Sequence, residues 1–216
     1  MSNDVAPKRA YRSLKRTEQA ARTRDRIIDA AGELFSSRGF AGTTMADIAR
    51  AADVSVESVH ATGTKASLLL EAFRTRYAGQ GEWSSFDEVA SVREIMAGDD
   101  PDRGLDEVVD FLAAGHARSA RLMAELRATS GVEPLITEHW AELVSHKAAG
   151  WMASAEWMVR IGIVDGDMPP AELTTLAVSL SVMLSAETYL QLTDDWGFTD
   201  DQYRAWARVE LRRSFA

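Results

Sequence analysis

The feature that most constrains the fold is a very short helix, predicted between two breaks in the stretch MADIARAADVSVESVHATGTKASLLL, from Met45 to Leu70. This helix covers about Val54 to His60, and its side chains are mostly small and polar, with Val59 as the main apolar anchor. A helix of this length is marginal by itself in water, because nucleation is unfavourable and few hydrogen bonds follow it. We therefore expect neighbouring helices to brace it and leave its polar side free for a partner outside the chain.

A longer helix is predicted before this stretch, from about Thr17 to Arg38, with Gly39 in the position that commonly ends a helix. Its apolar residues recur at helical spacing and so form one buried face. They are Ile27, Ile28, Ala31, Leu34 and Phe35.

Capping residues mark where the next three helices begin. Thr44 followed by Asp47 predicts a capping box at the start of the second helix. Ser55 is the predicted cap of the short third helix. Gly63 breaks that helix, and Thr64 is the predicted cap of a fourth helix that runs to about residue 78.

The remainder of the chain predicts longer helices. Apolar residues at helical spacing cover residues 105–129 and 134–163, and further helices follow Pro169-Pro170 and begin at Thr199. No segment alternates as a strand would. The predicted fold class is therefore all-α, with a basic disordered arm at residues 1–16, a compact helical domain at 17–78 and a larger helical domain at 79–216.

Composition and charge limit the possible functions. Cysteine is absent, which excludes disulfides, a thiol nucleophile and thiolate metal sites. The apolar runs are interrupted before they reach membrane-spanning length, so a soluble cytoplasmic protein without a membrane partner is expected. The net charge is −9, yet residues 1–26 hold eight basic and three acidic residues. A basic arm on an acidic body suits contact with a polyanion, although a solvated tail has the same composition.

Helix, short turn and short helix is the spacing of a helix-turn-helix, whose second helix enters the DNA major groove. Four residues at the start of the short helix would then face the bases: Ser55, Val56, Glu57 and Ser58. Helix N-termini bind phosphate, so Thr43, Thr44, Thr64 and Lys65 are candidate phosphate contacts. A small helical bundle that happens to contain short helices remains an alternative.

The segment from Arg22 to Phe73 resembles the DNA-binding domain of tetracycline-repressor (TetR) family regulators. The resemblance includes the ending Leu-Phe-x-x-x-Gly-Phe of the first helix, Thr-Thr-x-x-x-Ile-Ala, Ala-x-Val-Ser and Lys-x-x-Leu-Leu. Two departures stand out, since His60 occupies the place of a phosphate-binding tyrosine, and the loop before Lys65 is one residue short. His60 can still donate to phosphate. Glu57 either accepts from a cytosine amino group or faces water.

The resemblance implies a homodimer whose C-terminal domain binds a small effector, here expected to be apolar or aromatic. Candidate contacts are Phe111, His116, Met123, Trp140, Trp151 and Glu187. Each of these side chains could instead be core packing. His116 is either a satisfied core histidine or a polar group lining a cavity, and Glu187 either pairs across a dimer interface or points into a pocket.

These features predict a ligand-responsive transcriptional regulator, a repressor that releases its double-stranded DNA operator when the effector binds. The alternatives are an all-helical enzyme or a helical interaction protein that uses the C-terminal domain. The sequence has no convergent acid and base set, no phosphate-binding glycine loop and no histidine pair on one helical turn. Enzymatic activity, a cofactor and a bound metal are therefore not expected.

Overall fold

The computed structural model describes residues 8–78, 90–164 and 166–215, and within those ranges the regular structure is helical, without strands. The helices are α1 (Lys8–Arg38), α2 (Met45–Ala52), α3 (Val56–Thr62), α4 (Lys65–Ala78), α5 (Ala90–Ala97), α6 (Pro101–Thr129), α7 (Pro134–Arg160), α8 (Pro170–Met183), α9 (Ala186–Leu190) and α10 (Asp200–Phe215). The chain divides into two compact units, residues 1–72 and residues 73–216. The predicted domain boundary at residue 79 lies outside the described residues.

Helix α1 begins at Lys8, nine residues before the predicted start at Thr17. Helix therefore takes the place of the predicted disordered arm over residues 8–16. The segment lacks glycine and proline, and five of its nine residues are arginine or lysine, which have high helix propensity. Once α1 is nucleated by its packed half, such residues extend it at little cost.

The core of the first unit lies between α1, α2 and α3. The predicted face of α1 is buried, and Ile27, Phe35, Ile48 and Val59 are fully enclosed. Gly39 ends α1 with a positive φ of 75°, which glycine adopts without strain. This three-helix core gives the short helix α3 the bracing that its length requires.

The core of the second unit joins α6, α7, α8 and α10. Its buried members include Leu105, Val109, Leu112, Trp157, Met158, Leu180 and Leu211. The α6–α7 contact is close at Gly104, since a Cβ atom added there would lie 2.6 Å from Cζ2 of Trp157. Helix α10 begins with the predicted capping box, in which Thr199 N–H donates to Gln202 (2.8 Å) and Gln202 N–H donates to the Thr199 hydroxyl (3.2 Å).

Ion pairs run along the α6–α10 contact as a ladder. Arg204 lies 2.8 Å from Asp110, Arg208 lies 3.1 Å from Asp106, and Arg212 lies 3.2 Å from Asp106. Arginine numbers rise as aspartate numbers fall, so the two helices run antiparallel. Each exposed pair contributes modestly, about 0.2–1 kcal/mol, and the shared acids make the set a network.

The chain bends between α8 and α9. Ser185 has extended backbone, and its hydroxyl accepts from the Thr188 N–H (3.0 Å) as the cap of α9. A π-helical turn, Gln191–Asp195, follows. By length and composition, Pro170–Asp195 could cross a membrane, which is weak evidence because core helices have the same composition. The extended Ser185 interrupts the continuous helix that a span requires.

Candidate functional site

The first turn of α3 presents its side chains to solvent. The hydroxyl of Ser55 accepts from the Ser58 N–H (3.2 Å), which confirms Ser55 as the cap. Ser55, Val56 and Glu57 are exposed and Ser58 is half-buried, whereas Val59 is enclosed in the core. The predicted base-facing residues are therefore accessible from outside on a helix that its own core holds in place.

Asp53 makes the turn between α2 and α3. It has left-handed backbone (φ 53°, ψ 54°), and its N–H donates toward the carbonyls of Ala49 and Arg50. Aspartate tolerates this conformation better than bulkier or β-branched residues. The adjacent Val54 N–H also donates to Ala49 (3.0 Å). These bonds satisfy the end of α2 and fix the direction in which α3 leaves it.

Thr44 and Asp47 form the predicted capping box at the start of α2. Asp47 N–H donates to the Thr44 hydroxyl (3.1 Å), and Thr44 N–H donates back to the Asp47 carboxylate (3.1 Å). Hydrogen bonds from Thr44 and an ion pair with Arg50 lower the pKa of Asp47 to about 2. Thr44 is exposed, but its N–H and its hydroxyl (2.6 Å) both donate to the Asp47 carboxylate, so a phosphate contact would have to replace one of these bonds.

Thr43 does not fit its predicted role as a phosphate contact. Only 1% of Thr43 is exposed, and its hydroxyl donates to the carbonyl of Gly39 (2.9 Å). A hydroxyl enclosed in this way and already engaged as a donor cannot reach a phosphate. Thr43 instead ties the α1–α2 connection to the end of α1.

Thr64 and Lys65 occupy the start of α4. The Thr64 hydroxyl accepts from the Ser67 N–H (3.1 Å), so Thr64 is the cap as predicted. The ammonium of Lys65 lies 4.2 Å from the centroid of the Phe40 ring. This cation–π contact restrains the position of the flexible Lys65 side chain. The nearby His60 is exposed at the last turn of α3.

Glu57 is ionised on the exposed turn of α3. Its pKa is lowered because the carboxylate accepts from its own backbone N–H and from the Ser55 hydroxyl. A carboxylate at a helix N-terminus is also stabilised by the helix dipole. An ionised Glu57 can accept hydrogen bonds but cannot donate them, which restricts the base edges that it could contact.

Three of the predicted effector contacts line one enclosed cavity of about 30 Å³ in the second unit. These are His116, Met123 and Trp151, joined there by Tyr77, Leu112, Leu143, Lys147, Leu184 and Ser185. His116 is both a bonded core histidine and a lining residue, since its Nε2 lies 2.9 Å from the Leu184 carbonyl oxygen. Burial lowers the pKa of His116 to about 4, so the ring is neutral at pH 7.

An open groove of about 690 Å³ holds other predicted contacts. Trp140, Trp151 and Glu187 line it, and Glu187 pairs with Arg127 at 2.9 Å. Phe111 joins neither space, because it lines a separate cavity of about 10 Å³ between α5, α6 and α7. The structure thus brings five of the six predicted effector residues to the first cavity or the groove, and Phe111 lines a third space that shares Trp151 with both.

Lys147 lines both the cavity and the groove, and the sequence interpretation overlooked it. It follows Leu143 by four residues and precedes Trp151 by four, so it lies on the apolar stripe of α7. A lysine at such a position was a visible signal. Over the described ranges, no group of three or more His, Asp or Glu residues could hold a metal ion.

Known proteins resemble the chain in two ways. Residues 27–72 match the family model described as bacterial regulatory proteins, tetR family, a match that includes α2, α3 and Lys65. A transcriptional regulator from Rhodococcus sp. Rha1 has the same fold at 19% identity, with a TM-score of 0.63 over 87% of this chain and 93% of that one. A probable transcriptional regulatory protein, RHA5900, aligns at 23% identity, with a TM-score of 0.58 over 89% and 96%. No curated protein matches the chain.

Proposed function

We propose that the chain is a homodimeric, cytoplasmic repressor of transcription, from the premise that residues 27–72 match the family model of bacterial regulatory proteins, tetR family. It binds an operator in double-stranded DNA and releases it when a small molecule occupies the second unit. The observation that carries the proposal is the exposed first turn of α3 on a braced three-helix frame. Two such helices would enter successive major grooves, about 34–36 Å apart.

The roles of individual residues follow from their exposure. Ser55, Val56, Glu57 and Ser58 read base edges, and Thr44, His60, Thr64 and Lys65 contact the phosphate backbone. Backbone contacts fix the register of the protein on the duplex, and base contacts give the sequence preference. Thr43 has no such role because it is buried.

Helix α4 supports a coupling between the effector and the DNA contacts. It has Lys65 in its first turn and Tyr77, which lines the cavity, in its last. Arg118 of α6 donates to the carbonyl of Arg76 near the end of this helix (2.9 Å). An effector that moved α6 or Tyr77 would therefore act on the same helix that holds a phosphate contact. A differential affinity of roughly 1–3 kcal/mol suffices for useful switching.

The test is duplex binding by the Lys65→Ala variant. We expect its affinity for duplexes enriched from a randomised pool to fall about tenfold, on every sequence, because a charge-assisted phosphate contact is lost. The slope of log affinity against log salt should become shallower by roughly one for each contact removed. Thermal unfolding checks that the fold is kept.

The matched control is Arg213→Ala, which removes the same charge from the end of α10 and should bind as the wild type does. Wild-type protein that fails to bind any duplex at low salt contradicts the proposed function. If wild type binds and Lys65→Ala binds equally well, Lys65 is removed from the interface.

A further inference from the structure

The cavity and the groove in the second unit are adjacent. Lys147, Trp151 and Ser185 line both of them. The enclosed cavity, about 30 Å³, has room for only one or two water molecules, whereas the groove of about 690 Å³ is within the range of small-molecule sites. The body of an organic ligand must therefore lie in the groove, with Lys147 where the two spaces meet.

One part of the groove wall is apolar and aromatic. Trp140, Val144 and Trp151 of α7 contribute one side, and Val182 of α8 contributes another. Val144 and Val182 are 48% and 63% exposed, so this surface is open to solvent in the chain by itself. Four neutral polar residues join it, Ser181, Ser185, Thr188 and Gln191, and the hydroxyls of Ser185 and Thr188 bond to each other (3.0 Å). A ligand that covers this surface needs an apolar body.

The charges of the groove do not cancel. Its charged residues are Arg127, Lys147 and Glu187, and the Arg127–Glu187 pair at 2.9 Å neutralises itself. Within the parts of the chain that the structure describes, Lys147 forms no ion pair or hydrogen bond, although Glu187 and Arg127 both act on it at longer range. One positive charge is thus left at the junction of cavity and groove.

The environment of Lys147 favours an anion beside it. Burial lowers the pKa of Lys147, because removing the ammonium from water disfavours its charged form. A carboxylate, sulfonate or phosphate next to the ammonium would compensate for the water that it has lost. His116, which also faces the cavity, is neutral and does not compete for that anion.

We propose that the effector is an amphiphilic organic anion whose acidic group pairs with Lys147 while its apolar body covers Trp140, Val144 and Val182. This inference rests on the proposed function, since it names the chemical class that the second unit senses. It also narrows the expectation of an apolar or aromatic effector by adding one negative charge at a defined place.

The test uses a matched pair of fluorescent probes, 1-anilinonaphthalene-8-sulfonate and its uncharged counterpart N-phenyl-1-naphthylamine. Both brighten in an apolar site, and only the first carries an anion. We expect Lys147→Gln to weaken binding of the sulfonate about tenfold and to leave the uncharged probe within about twofold, because only the charge-assisted contact is lost. Arg213→Gln, which removes a cation outside the groove, should leave both affinities unchanged.

A second variant guards against misfolding. Glu187→Gln removes the only carboxylate among the described groove residues and frees Arg127, so we expect the sulfonate to bind several-fold more tightly. A partly unfolded chain also binds this sulfonate, so urea unfolding of both variants must show that their fold is kept. The proposal is overturned if Lys147→Gln and Glu187→Gln both leave the sulfonate affinity unchanged, or if the uncharged probe loses as much affinity as the charged one. Fluorescence binding involves no DNA, so this failure is distinct from a failure to bind duplex.

Discussion

Ser55 and Val59 give α3 one solvent-facing end and one buried side. The Ser55 hydroxyl satisfies an N–H of the first turn, and Val59 is fully enclosed. Together they fix the angle at which Val56 and Glu57 leave the surface. The position of the exposed α3 side chains is therefore set by one helix cap, Ser55, and one core contact, Val59.

Glu57 gives the first prediction at this scale. An ionised carboxylate accepts from the cytosine amino group and cannot donate to a guanine or adenine acceptor. We expect Glu57→Gln, whose amide also donates, to change the preferred base at one operator position while total affinity rises, because a negative charge near phosphate is removed. Selection from a randomised duplex pool measures this. An unchanged base preference would show that Glu57 faces water.

His116 gives a prediction about pH. Its pKa is about 4 in the folded chain and 6.5 in a model compound, so the unfolded chain binds the proton more tightly. Stability from this group is complete above pH 6.5 and declines as pH falls toward 4. Between pH 7 and pH 5 the loss is about 2 kcal/mol. We expect His116→Gln to lack this loss in urea unfolding, and the exposed His146→Gln to keep it.

Residue-scale expectations succeeded where the cause is local. The caps at Thr44, Ser55 and Thr64 were predictable because a hydroxyl bonds an N–H two or three residues away. The role of Thr43 was not predictable, because the bond from its hydroxyl to the Gly39 carbonyl depends on the folded path of the α1–α2 connection. The lack of an ion-pair partner for Lys147 was not predictable either. It depends on the Arg127–Glu187 pair, whose residues are 60 positions apart in the sequence.

At the scale of helices, α6 organises the second unit. It contacts α5, α7, α9 and α10, and its two glycines have different surroundings. Gly104 packs against Trp157, whereas a Cβ atom at Gly115 would meet nothing within 4 Å. Helix periodicity predicted α6 itself, but it could not tell which glycine permits a close helix–helix contact.

These glycines form a matched pair of substitutions in one helix. We expect Gly104→Ala to destabilise the protein by about 1–3 kcal/mol, because the buried Trp157 cannot move away from the new methyl group. Gly115→Ala should stabilise it by about 0.5–1 kcal/mol, because alanine restricts the unfolded chain and favours helix. Urea unfolding measures both. Equal effects of the two changes would contradict the close α6–α7 contact.

At the scale of the whole molecule, α8 has more apolar surface than one chain buries. Leu176, Ala177 and Leu180 face the core, yet Val178 is 56% exposed. A helix that is apolar on two sides suits a position between two protomers. The exposed side could be identified only once the core side was known.

The proposed dimer can be tested through Val178. We expect Val178→Glu to convert dimer to monomer in sedimentation velocity, because a charge in an apolar interface loses its hydration. Operator affinity should fall with it, since the two recognition helices would no longer be linked. Val132→Glu places the same charge on a 79% exposed valine outside α8 and should remain dimeric. A dimeric Val178→Glu protein would exclude this face as the interface.

Many side chains of α6 bond to other helices, so substitutions at these positions are constrained. Its aspartates hold three arginines of α10, Arg118 reaches the end of α4, and His116 bonds the α8–α9 bend. Inserting one residue in α6 would rotate the residues after it by about 100° relative to those before it, so these contacts could not all be kept. The α7 residues that line the cavity, Leu143, Lys147 and Trp151, take part in none of these named contacts of α6. Descendants of this chain that respond to new chemicals should therefore differ mainly along α7, with α6 preserved as the common frame.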